Sequence, residues 1–320
     1  MIGWIVFGII ILLLLLGFVI PLRISYNITF KKRGDGKLDP YSGLDHESFA
    51  PYKSATTAAI DRLRATPCEE IRIKSQDGLT LYGRYFHVRD GAPIELQMHG
   101  YRSTPIKDFS GGACSAIDKG HNILLVDQRA HGDSEGRTIS FGINEKYDCL
   151  AWLEYLAERF GTDTPVILVG ISMGAATVLM ASGLELPENV ACIIADCPYS
   201  TPKAIITKVA GEMGIPGKLL FPTIRLGGRL FGGFDVCSDS PLEAVKRSAI
   251  PTILIHGEAD GYVPSDMSRE IYEAIPHSDK KRITFAGADH GLSFLADPER
   301  YLREINEFNA AALAKWREKR

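Results

Sequence analysis

The chain has 320 residues, of which 45% are hydrophobic and 23% are charged, the balance of a polypeptide that buries a substantial core. The formal net charge is −3 at pH 7, and the sequence contains no long basic run, so nothing favours binding to nucleic acid. The six cysteines show neither a disulfide framework nor a zinc-finger spacing. We therefore expect no metal centre, and the pattern is typical of buried, reduced thiols.

The first twenty residues carry no charged side chain and read MIGWIVFGIIILLLLLGFVI. As a helix, this stretch would reach roughly 30 Å, the thickness of the hydrocarbon core of a bilayer. It lacks the basic start and the small-x-small cleavage site of a signal peptide, and it lacks the polar stripe of a buried core helix. The sequence therefore predicts an uncleaved transmembrane anchor over residues 1–22.

Basic residues follow the predicted span and none precedes it: Arg23, Lys31, Lys32 and Arg33. The positive-inside rule then favours a main domain on the cytoplasmic face of the membrane. A large domain can cross a membrane despite such flanking charges, so the side of the membrane stays open.

Residues 23–67 combine charged residues, Gly and Pro with a short helical pattern from about Ser48 to Arg64, which predicts a linker and a helix before the main domain. The main domain is expected over residues 68–320. It opens with two alternating apolar segments around an Asp77–Gly78 turn, the pattern of a β-hairpin.

Beyond the hairpin, apolar strands alternate with helical patterns. The predicted strands are 93–98, 122–127, 166–170, 192–196, 251–257 and 282–285, and the predicted helices are 106–119, 144–159, 172–183 and 298 to the end. Strands that are apolar throughout and separated by helices predict a mostly parallel, doubly wound α/β sheet. In such a sheet, the active site lies beyond the carboxyl ends of the strands.

The segment Gly170–Gly174 reads G-I-S-M-G and lies between a predicted strand and a predicted helix. This is the G-x-S-x-G nucleophile elbow in its strand–turn–helix context. The turn is tight enough that side chains at either glycine would collide with neighbouring elements, and the helix N-terminus favours developing negative charge. Ser172 is therefore the predicted nucleophile, although G-x-S-x-G also occurs by chance in loops rich in Gly and Ser.

A serine nucleophile needs a base, and the base needs an orienting acid; in this arrangement they follow in the order Ser, Asp or Glu, His. Asp260 follows the strand 251–257, and His290 follows the strand 282–285. We predict that Asp260 is the acid and that His290 is the general base. Asp196 also ends a strand and is kept as a second candidate for the acid.

Other carboxylates and histidines near these loops are expected to be structural. Three carboxylates fit roles in loops and at a helix start: Glu258, Asp266 and Asp289. Three histidines precede a glycine in a turn after a strand, which favours hydrogen bonding over catalysis: His99, His131 and His256.

Acyl transfer also needs N–H donors for the oxyanion, each worth about 3 kcal/mol where this has been tested. The backbone N–H of Met173, directly after the nucleophile, is one expected donor. The other is the N–H of Tyr101, because Gly100 allows the backbone to turn after the strand 93–98. The ring of Tyr101 is then expected to form part of the substrate-binding wall, although an ordinary strand-ending turn is the alternative.

Seven segments resemble the α/β-hydrolase superfamily, in order from about residue 68 to 310: SQDGLTLYGRYF, HGYRS, DQRAHGDSEG, GISMGA, DCPYS, HGEADGYVP and GADHG. Within it, they are similar to the branch of serine-aminopeptidase-like and monoglyceride-lipase-like hydrolases, including small bacterial membrane-anchored members. The resemblance implies the α/β-hydrolase fold and a structural turn at Asp127–Gly136. It does not extend to residues 1–65.

The insertion over residues 198–249 lies where a lid would be. Its apolar stretches, interrupted by Gly and Pro, predict two or three short amphipathic helices that cover an acyl pocket. Simple packing over the edge of the sheet is the other interpretation.

The predicted function is a serine hydrolase that cleaves carboxylic esters through an acyl-enzyme, without a metal or organic cofactor. The predicted anchor favours lipid-derived acyl esters among the small-molecule substrates. A peptidase or amidase is the alternative within the same fold, although the sequence shows no recognisable acidic pocket for a substrate amine. A non-catalytic, membrane-tethered scaffold is a third hypothesis, but such proteins usually lose a triad residue and this chain has all three.

Overall fold

Alternating strands and helices occupy most of the chain in a computed structural model, which describes residues 2–214 and 216–319, apart from the side chains of residues 2 and 8–15. The strands in these residues are β1 Glu69–Lys74, β2 Thr80–Phe86, β3 Ile94–Met98, β4 Asn122–Asp127, β5 Val166–Ile171, β6 Val190–Asp196, β7 Thr252–Gly257 and β8 Lys280–Phe285. The α-helices are α1 Ile2–Thr29, α2 Lys53–Ala65, α3 Pro105–Lys119, α4 Glu145–Phe160, α5 Met173–Ala181, α6 Pro202–Glu212, α7 Gly217–Gly227, α8 Pro241–Ala244, α9 Asp266–Ala274, α10 Ser293–Ala296 and α11 Pro298–Glu318.

The strands form an eight-stranded sheet in the order β1-β2-β4-β3-β5-β6-β7-β8. The pairs β1–β2 and β2–β4 are antiparallel, and the remaining neighbours are parallel. The predicted mostly parallel sheet and its opening hairpin are therefore confirmed.

The sheet changes winding direction between β3 and β5. The chain passes from β3 to β4 on one side and then crosses to β5 on the other, so that β3 and β5 are neighbours. Loops that leave such a pair diverge and open a crevice beyond the carboxyl ends of the strands. The loop after β3 and the turn after β5 both lie at this crevice, and they carry Tyr101 and Ser172.

Both faces of the sheet are covered, and the two cores separate cleanly. One core joins the strands to α4 and α5 and contains the fully buried Trp152. The other joins them to α2, α3 and α11 and contains Phe109. On β3, the apolar residues Ile94, Leu96 and Met98 face the first core, whereas the alternating Glu95 and Gln97 face the second.

The N-terminal segment is helical from Ile2 to Thr29, but the predicted membrane anchor over residues 1–22 is not supported. In the part of the chain that the structure describes, no helix combines the length and the apolar character that crossing a bilayer requires. The side chains of residues 8–15, in the middle of the predicted span, lie outside that part. The membrane face on which the main domain lies depends on the predicted anchor, and it stays a prediction.

The C-terminal end of α1 packs against the rest of the protein. Leu22 and Tyr26 are buried, and Phe30, directly after the helix, is fully buried. The Phe30 ring makes edge contacts with Phe141 and Phe234, with centroids 5.8 and 5.1 Å apart. This end of the helix is therefore fixed to the main domain, while the predicted division at residues 22 and 67 stays a prediction.

The insertion over residues 198–249 contains α6, α7 and α8, with a π-helical turn at Gly228–Gly232. Apolar side chains of α6 and α7, among them Ile205 and Phe221, belong to one buried cluster with side chains of α5 and of the end of α1. The insertion thus packs on other helices, and packing over the edge of the sheet stays a prediction. A lid function is not confirmed.

Candidate active site

Ser172 lies in a tight turn between β5 and α5 and has φ 56° and ψ −115°. Residues with a side chain rarely adopt this conformation, and it costs about 1–3 kcal/mol. The flanking glycines explain how the turn fits. A Cβ atom on Gly174 would lie 1.7 Å from the carbonyl oxygen of Met98, and one on Gly170 would lie 2.4 Å from the carbonyl carbon of Gly174.

His290 and Asp260 approach the same serine from the loops after β8 and β7. The distance between His290 Nε2 and Ser172 Oγ is 2.9 Å, and the distance between His290 Nδ1 and Asp260 Oδ2 is 2.7 Å. The structure thus brings the three predicted residues into one continuous chain of hydrogen bonds. The Asp260 carboxylate is inaccessible to solvent, whereas the His290 side chain is partly exposed.

Asp260 is held as a carboxylate by the donors around it. Burial would raise the pKa of Asp260, but contacts with His256 and His290 and the Val263 N–H lower the pKa below its usual range. Its Oδ1 atom accepts hydrogen bonds from the backbone N–H groups of Tyr262 and Val263, at 2.9 and 2.7 Å. A buried, ionised acid next to an imidazole favours the imidazolium form that a general base passes through.

The loop after β3 approaches Ser172 closely. A Cβ atom on Gly100 would lie 3.4 Å from the Ser172 Cβ, and Tyr101 follows directly. The Gly100 N–H donates to Asp108 Oδ2 at 2.7 Å, and the Ser103 hydroxyl donates to Asp108 Oδ1 at 2.5 Å. Asp108, in the first turn of α3, therefore fixes the loop that carries one of the predicted oxyanion donors.

The sequence interpretation did not include Asp108. The one sequence feature that points to Asp108 is the helix start at Thr104–Pro105, because the helix dipole favours a carboxylate in the first turn. That signal predicts a helix end and does not predict the contact with Gly100. Met173, the other predicted donor, is the first residue of α5.

The end of α1 also holds the loop after β3. The Tyr101 hydroxyl donates to the Thr29 carbonyl at 2.8 Å, and the Arg102 guanidinium donates to the carbonyls of Ile28 and Lys31, at 2.9 and 3.1 Å. Carbonyls at a helix C-terminus carry partial negative charge and favour a cation. The N-terminal helix thus contacts the predicted oxyanion loop directly.

Family models match two parts of the chain. Residues 112–218 match the α/β hydrolase fold family, and residues 235–298 match the serine aminopeptidase family. The chain belongs to the α/β-hydrolase superfamily. The second match lies in its serine-aminopeptidase-like branch.

Three known proteins illustrate the similarity of this α/β-hydrolase to others. The uncharacterised protein YqkD of Bacillus subtilis is 28% identical over 60% of this chain and 63% of its own length. The lysophosphatidylserine lipase ABHD12 of Rattus norvegicus is 26% identical over 56% of this chain and 44% of its own length. This chain therefore matches less than two thirds of either relative. The solved esterase Pf2001 of Pyrococcus furiosus is 21% identical, with a TM-score of 0.64 over 77% of this chain and 92% of that one, and shares the fold.

The second candidate acid, Asp196, does not contact His290 by a hydrogen bond in this α/β-hydrolase. Its carboxyl group accepts from the Ser293 hydroxyl at 3.3 Å and interacts with the Tyr301 hydroxyl. Burial, opposed by the charge of His256 and by these hydrogen bonds, raises the pKa of Asp196 to about 6. Asp196, the last residue of β6, and Asp260, in the loop after the neighbouring β7, thus have pKa values shifted in opposite directions.

The remaining carboxylates hold loops and a helix start together. Asp289 Oδ1 accepts from the N–H groups of His290 and Gly261, at 2.8 and 3.2 Å. Glu258 accepts from the Thr284 hydroxyl at 2.6 Å, and Asp266 is exposed and paired with Arg269. These contacts agree with the structural roles expected for the three carboxylates.

Three other histidines make hydrogen bonds to the backbone. His131 Nε2 accepts from the Arg102 N–H at 3.0 Å, and His99 Nε2 accepts from the Gln128 N–H at 3.1 Å. Burial lowers the pKa of His99 to about 4 and lowers that of His131 well below its usual value. His256 Nε2 donates to the Val263 carbonyl at 2.8 Å and so supports the loop of Asp260.

A cavity of about 590 Å³ begins at Ser172 and extends along the sheet beneath α3 and α11. Tyr101 and His290 line it near Ser172, and the substrate-binding role of Tyr101 stays a prediction. Among the described residues, none from the insertion 198–249 lines this cavity. The predicted lid over an acyl pocket is therefore not confirmed, because the cavity lies under helices that flank the sheet.

One group of side chains in the described residues has the spacing of a metal site: Cys197, Asp260 and His290 offer ligand atoms within 4.8 Å of one another. Burial, followed by the charges of Asp196 and Asp260, raises the pKa of the Cys197 thiol well above its usual value. A thiol that stays protonated is a poor metal ligand, and His290 already bonds to Asp260. We assign no metal to this group.

Asp196 gives a testable pH dependence. The folded protein keeps this proton until about pH 6, whereas an exposed aspartate loses it near pH 3.9. Between these values, the folded state binds more protons, so the free energy of unfolding falls as the pH rises, by up to roughly 3 kcal/mol. Asp196→Asn should remove this pH-dependent contribution to the free energy of unfolding. Urea unfolding from pH 4 to pH 8 measures the contribution.

The exposed Asp266→Asn serves as the matched control, and its stability curve should run parallel to that of the wild type. If the Asp196→Asn curve also runs parallel to the wild type over this pH range, the Asp196 carboxyl titrates normally and the assigned shift is wrong.

Proposed function

We propose that this α/β-hydrolase is a serine hydrolase that cleaves carboxylic esters by two-step acyl transfer. The observation that supports the proposal is the hydrogen-bonded chain from Ser172 through His290 to Asp260, with distances of 2.9 and 2.7 Å. A serine hydroxyl is a weak nucleophile unless a neighbouring base takes its proton. In this geometry, the base lies at hydrogen-bond distance before the substrate arrives.

In the first step, the Ser172 oxygen attacks the carbonyl carbon of the ester, and His290 Nε2 takes the hydroxyl proton. The resulting imidazolium donates through Nδ1 to Asp260, whose depressed pKa keeps it ionised. Asp260 therefore stabilises the positive charge on His290 without itself becoming protonated.

The carbonyl oxygen becomes negatively charged as the tetrahedral intermediate forms. The N–H groups of Tyr101 and Met173 are the proposed donors to this oxygen, and they lie on the two segments that flank Ser172. Each donor contributes about 3 kcal/mol to the stability of the transition state where such donors have been removed. Asp108 supports this role through its contact with the Gly100 N–H.

The intermediate collapses when its bond to the alcohol oxygen breaks and His290 returns the proton to that oxygen. The alcohol leaves, and the acyl group stays on Ser172. Water then attacks the acyl-enzyme while His290 takes one of its protons. The second collapse releases the carboxylic acid and returns the proton to Ser172.

The substrate class follows from the cavity. Apolar side chains line much of it, among them Phe109, Ile171 and Phe294, and these favour an acyl or alkyl chain. The lysophosphatidylserine lipase ABHD12, a partial relative, supports a lipid-derived ester as the substrate. A peptidase is the second candidate, favoured by the match of residues 235–298 to the serine aminopeptidase family.

The ester proposal predicts turnover of p-nitrophenyl esters, with an optimum in chain length set by the cavity. Ser172→Ala should abolish this turnover, because the attacking oxygen is lost, while unfolding stays cooperative. The matched control is Ser182→Ala at the other end of α5, whose hydroxyl bonds within its own helix. Turnover that persists in Ser172→Ala would remove this residue from the mechanism, and turnover of aminoacyl amides in place of esters would favour the peptidase.

The proposed role of Asp260 as the acid predicts a large loss of activity when its charge is removed. Asp260→Asn should lower kcat by about 10⁴-fold, because the amide favours the wrong tautomer of His290 and cannot stabilise its charge. Asp196→Asn should have a much smaller effect, since Asp196 bonds to Ser293. Steady-state kinetics of both variants decides between the acids. A mild loss in Asp260→Asn with a severe loss in Asp196→Asn would assign the acid to the end of β6.

A further inference from the structure

The cavity that begins at Ser172 has a helix on each side. On α3, it is lined by residues that recur every three or four positions and so lie on one face of the helix: Asp108, Gly112, Ser115 and Lys119. On α11, it is lined by Leu302, Ile305 and Asn306. The cavity is therefore a groove between α3 and α11, with the sheet as its floor.

The groove is mainly apolar between its two ends. Its floor consists partly of Val169 and Ile171 on β5 and Ile194 on β6. At the end away from Ser172, Lys119 Nζ donates to Asn306 Oδ1 at 2.5 Å, so a hydrogen bond joins α3 to α11 there. Apolar walls of this kind favour an aliphatic chain.

The length of the groove follows from α3. Its first turn lies beside Ser172, since a Cβ atom on Gly100 would lie 3.3 Å from Asp108 Oδ2 and 3.4 Å from Ser172 Cβ. From Asp108 to Lys119, the helix rises about 16 Å. An extended chain of about a dozen carbons spans this distance, because each bond of about 1.5 Å advances the chain by slightly less than its length.

Two consecutive glycines in α3 have different surroundings. A Cβ atom on Gly111 would lie 2.3 Å from Phe294 Cε1, so the Phe294 ring fills the space beside Gly111. A Cβ atom on Gly112 would meet no atom within 4 Å beyond its own helix backbone, in the part of the chain that the structure describes. Since Gly112 lines the cavity, this open space belongs to the groove.

Neither backbone conformation nor packing requires glycine at position 112. The residue lies inside an α-helix, where alanine is more stable than glycine. A groove that has to admit a chain gives the reason. A large side chain at Gly112 would obstruct the groove about 6 Å beyond Asp108, one helical turn from Ser172.

We propose that the aliphatic chain of the ester lies in this groove and that Gly112 is the specificity-determining residue that admits long chains. The proposal rests on the proposed ester hydrolysis. It places the chain away from the insertion 198–249, from which no described residue lines the cavity. Because each buried methylene group favours binding, turnover should rise with chain length until the chain reaches the hydrogen bond between Lys119 and Asn306.

The test compares kcat/KM for p-nitrophenyl esters from butyrate to myristate. The wild type should show an optimum at about a dozen carbons. Gly112→Leu should keep its turnover of the butyrate and lose at least about tenfold on the dodecanoate, the effect of roughly two buried methylene groups. Gly112→Ala adds only a methyl group and should show a smaller loss. The Tm of both variants should not fall, since the new side chains displace no atom.

Gly211→Leu is the matched control. Gly211 lies in α6 of the insertion, is exposed, and has no described atom within 4 Å of an added Cβ beyond its own helix backbone. This variant should keep the wild-type dependence on chain length. If Gly112→Leu also keeps it, the groove does not hold the chain. A loss of long-chain turnover in Gly211→Leu alone would place the chain at the insertion and overturn the proposal.

Acetate esters of alcohols of increasing length form a second arm. A Gly112→Leu loss confined to the p-nitrophenyl esters supports the groove as the site of the acyl chain. A loss confined to the alkyl acetates supports it as the site of the leaving alcohol. An unchanged dependence on length in both arms would overturn the groove for either half of the ester.

A binding measurement separates failure of the groove from failure of the proposed function. Decan-1-ol should raise the Tm of the wild type and of Gly211→Leu, and it should raise that of Gly112→Leu less. If no ester is turned over but decan-1-ol behaves in this way, the reaction is wrong and the groove stands. If esters are turned over through Ser172 while Gly112→Leu and the wild type respond alike to chain length and to decan-1-ol, the groove is wrong.

Discussion

The close approach between the turn after β5 and the end of β3 is the constraint on which the site depends. Gly174 leaves no space for a side chain, since a Cβ atom there would lie 1.7 Å from the Met98 carbonyl oxygen. This contact brings the start of α5 against the loop after β3. It therefore places the N–H groups of Met173 and Tyr101 on segments that flank Ser172, and it helps to hold Ser172 at φ 56°. Strained backbone of this kind persists where the surrounding structure over-determines it.

Local environment distinguishes the carboxylate at the end of β6 from the one in the loop after β7. Both Asp196 and Asp260 are buried, but Asp260 receives two backbone N–H groups and contacts two histidines, whereas Asp196 contacts hydroxyl groups. Donors that stabilise the charged form lower a pKa, and desolvation raises it. The carboxyl group beside His290 is therefore the one whose charged form the surroundings stabilise, which is the state that a proton-accepting histidine needs.

The strands, the long helices and the order of the site loops could be predicted from the sequence because each depends on local patterns. Apolar runs such as Val166–Ile171 and the turn glycines give direct signals. The cavity, the contact of Asp108 with Gly100 and the contacts of Arg102 with the end of α1 could not be predicted, because they join segments far apart in the chain. The lid function stays unconfirmed for a related reason: an apolar insertion indicates packing, but it does not show which surface it covers.

Reaction of the 320-residue protein with a fluorophosphonate, followed by mapping of the adduct by mass spectrometry, tests the proposed role of Ser172 directly. The proposed mechanism, in which His290 activates the Ser172 hydroxyl, predicts one covalent adduct, on the peptide that contains Ser172. A folded protein that forms no adduct, or that forms it on another residue, would show that Ser172 is not the nucleophile.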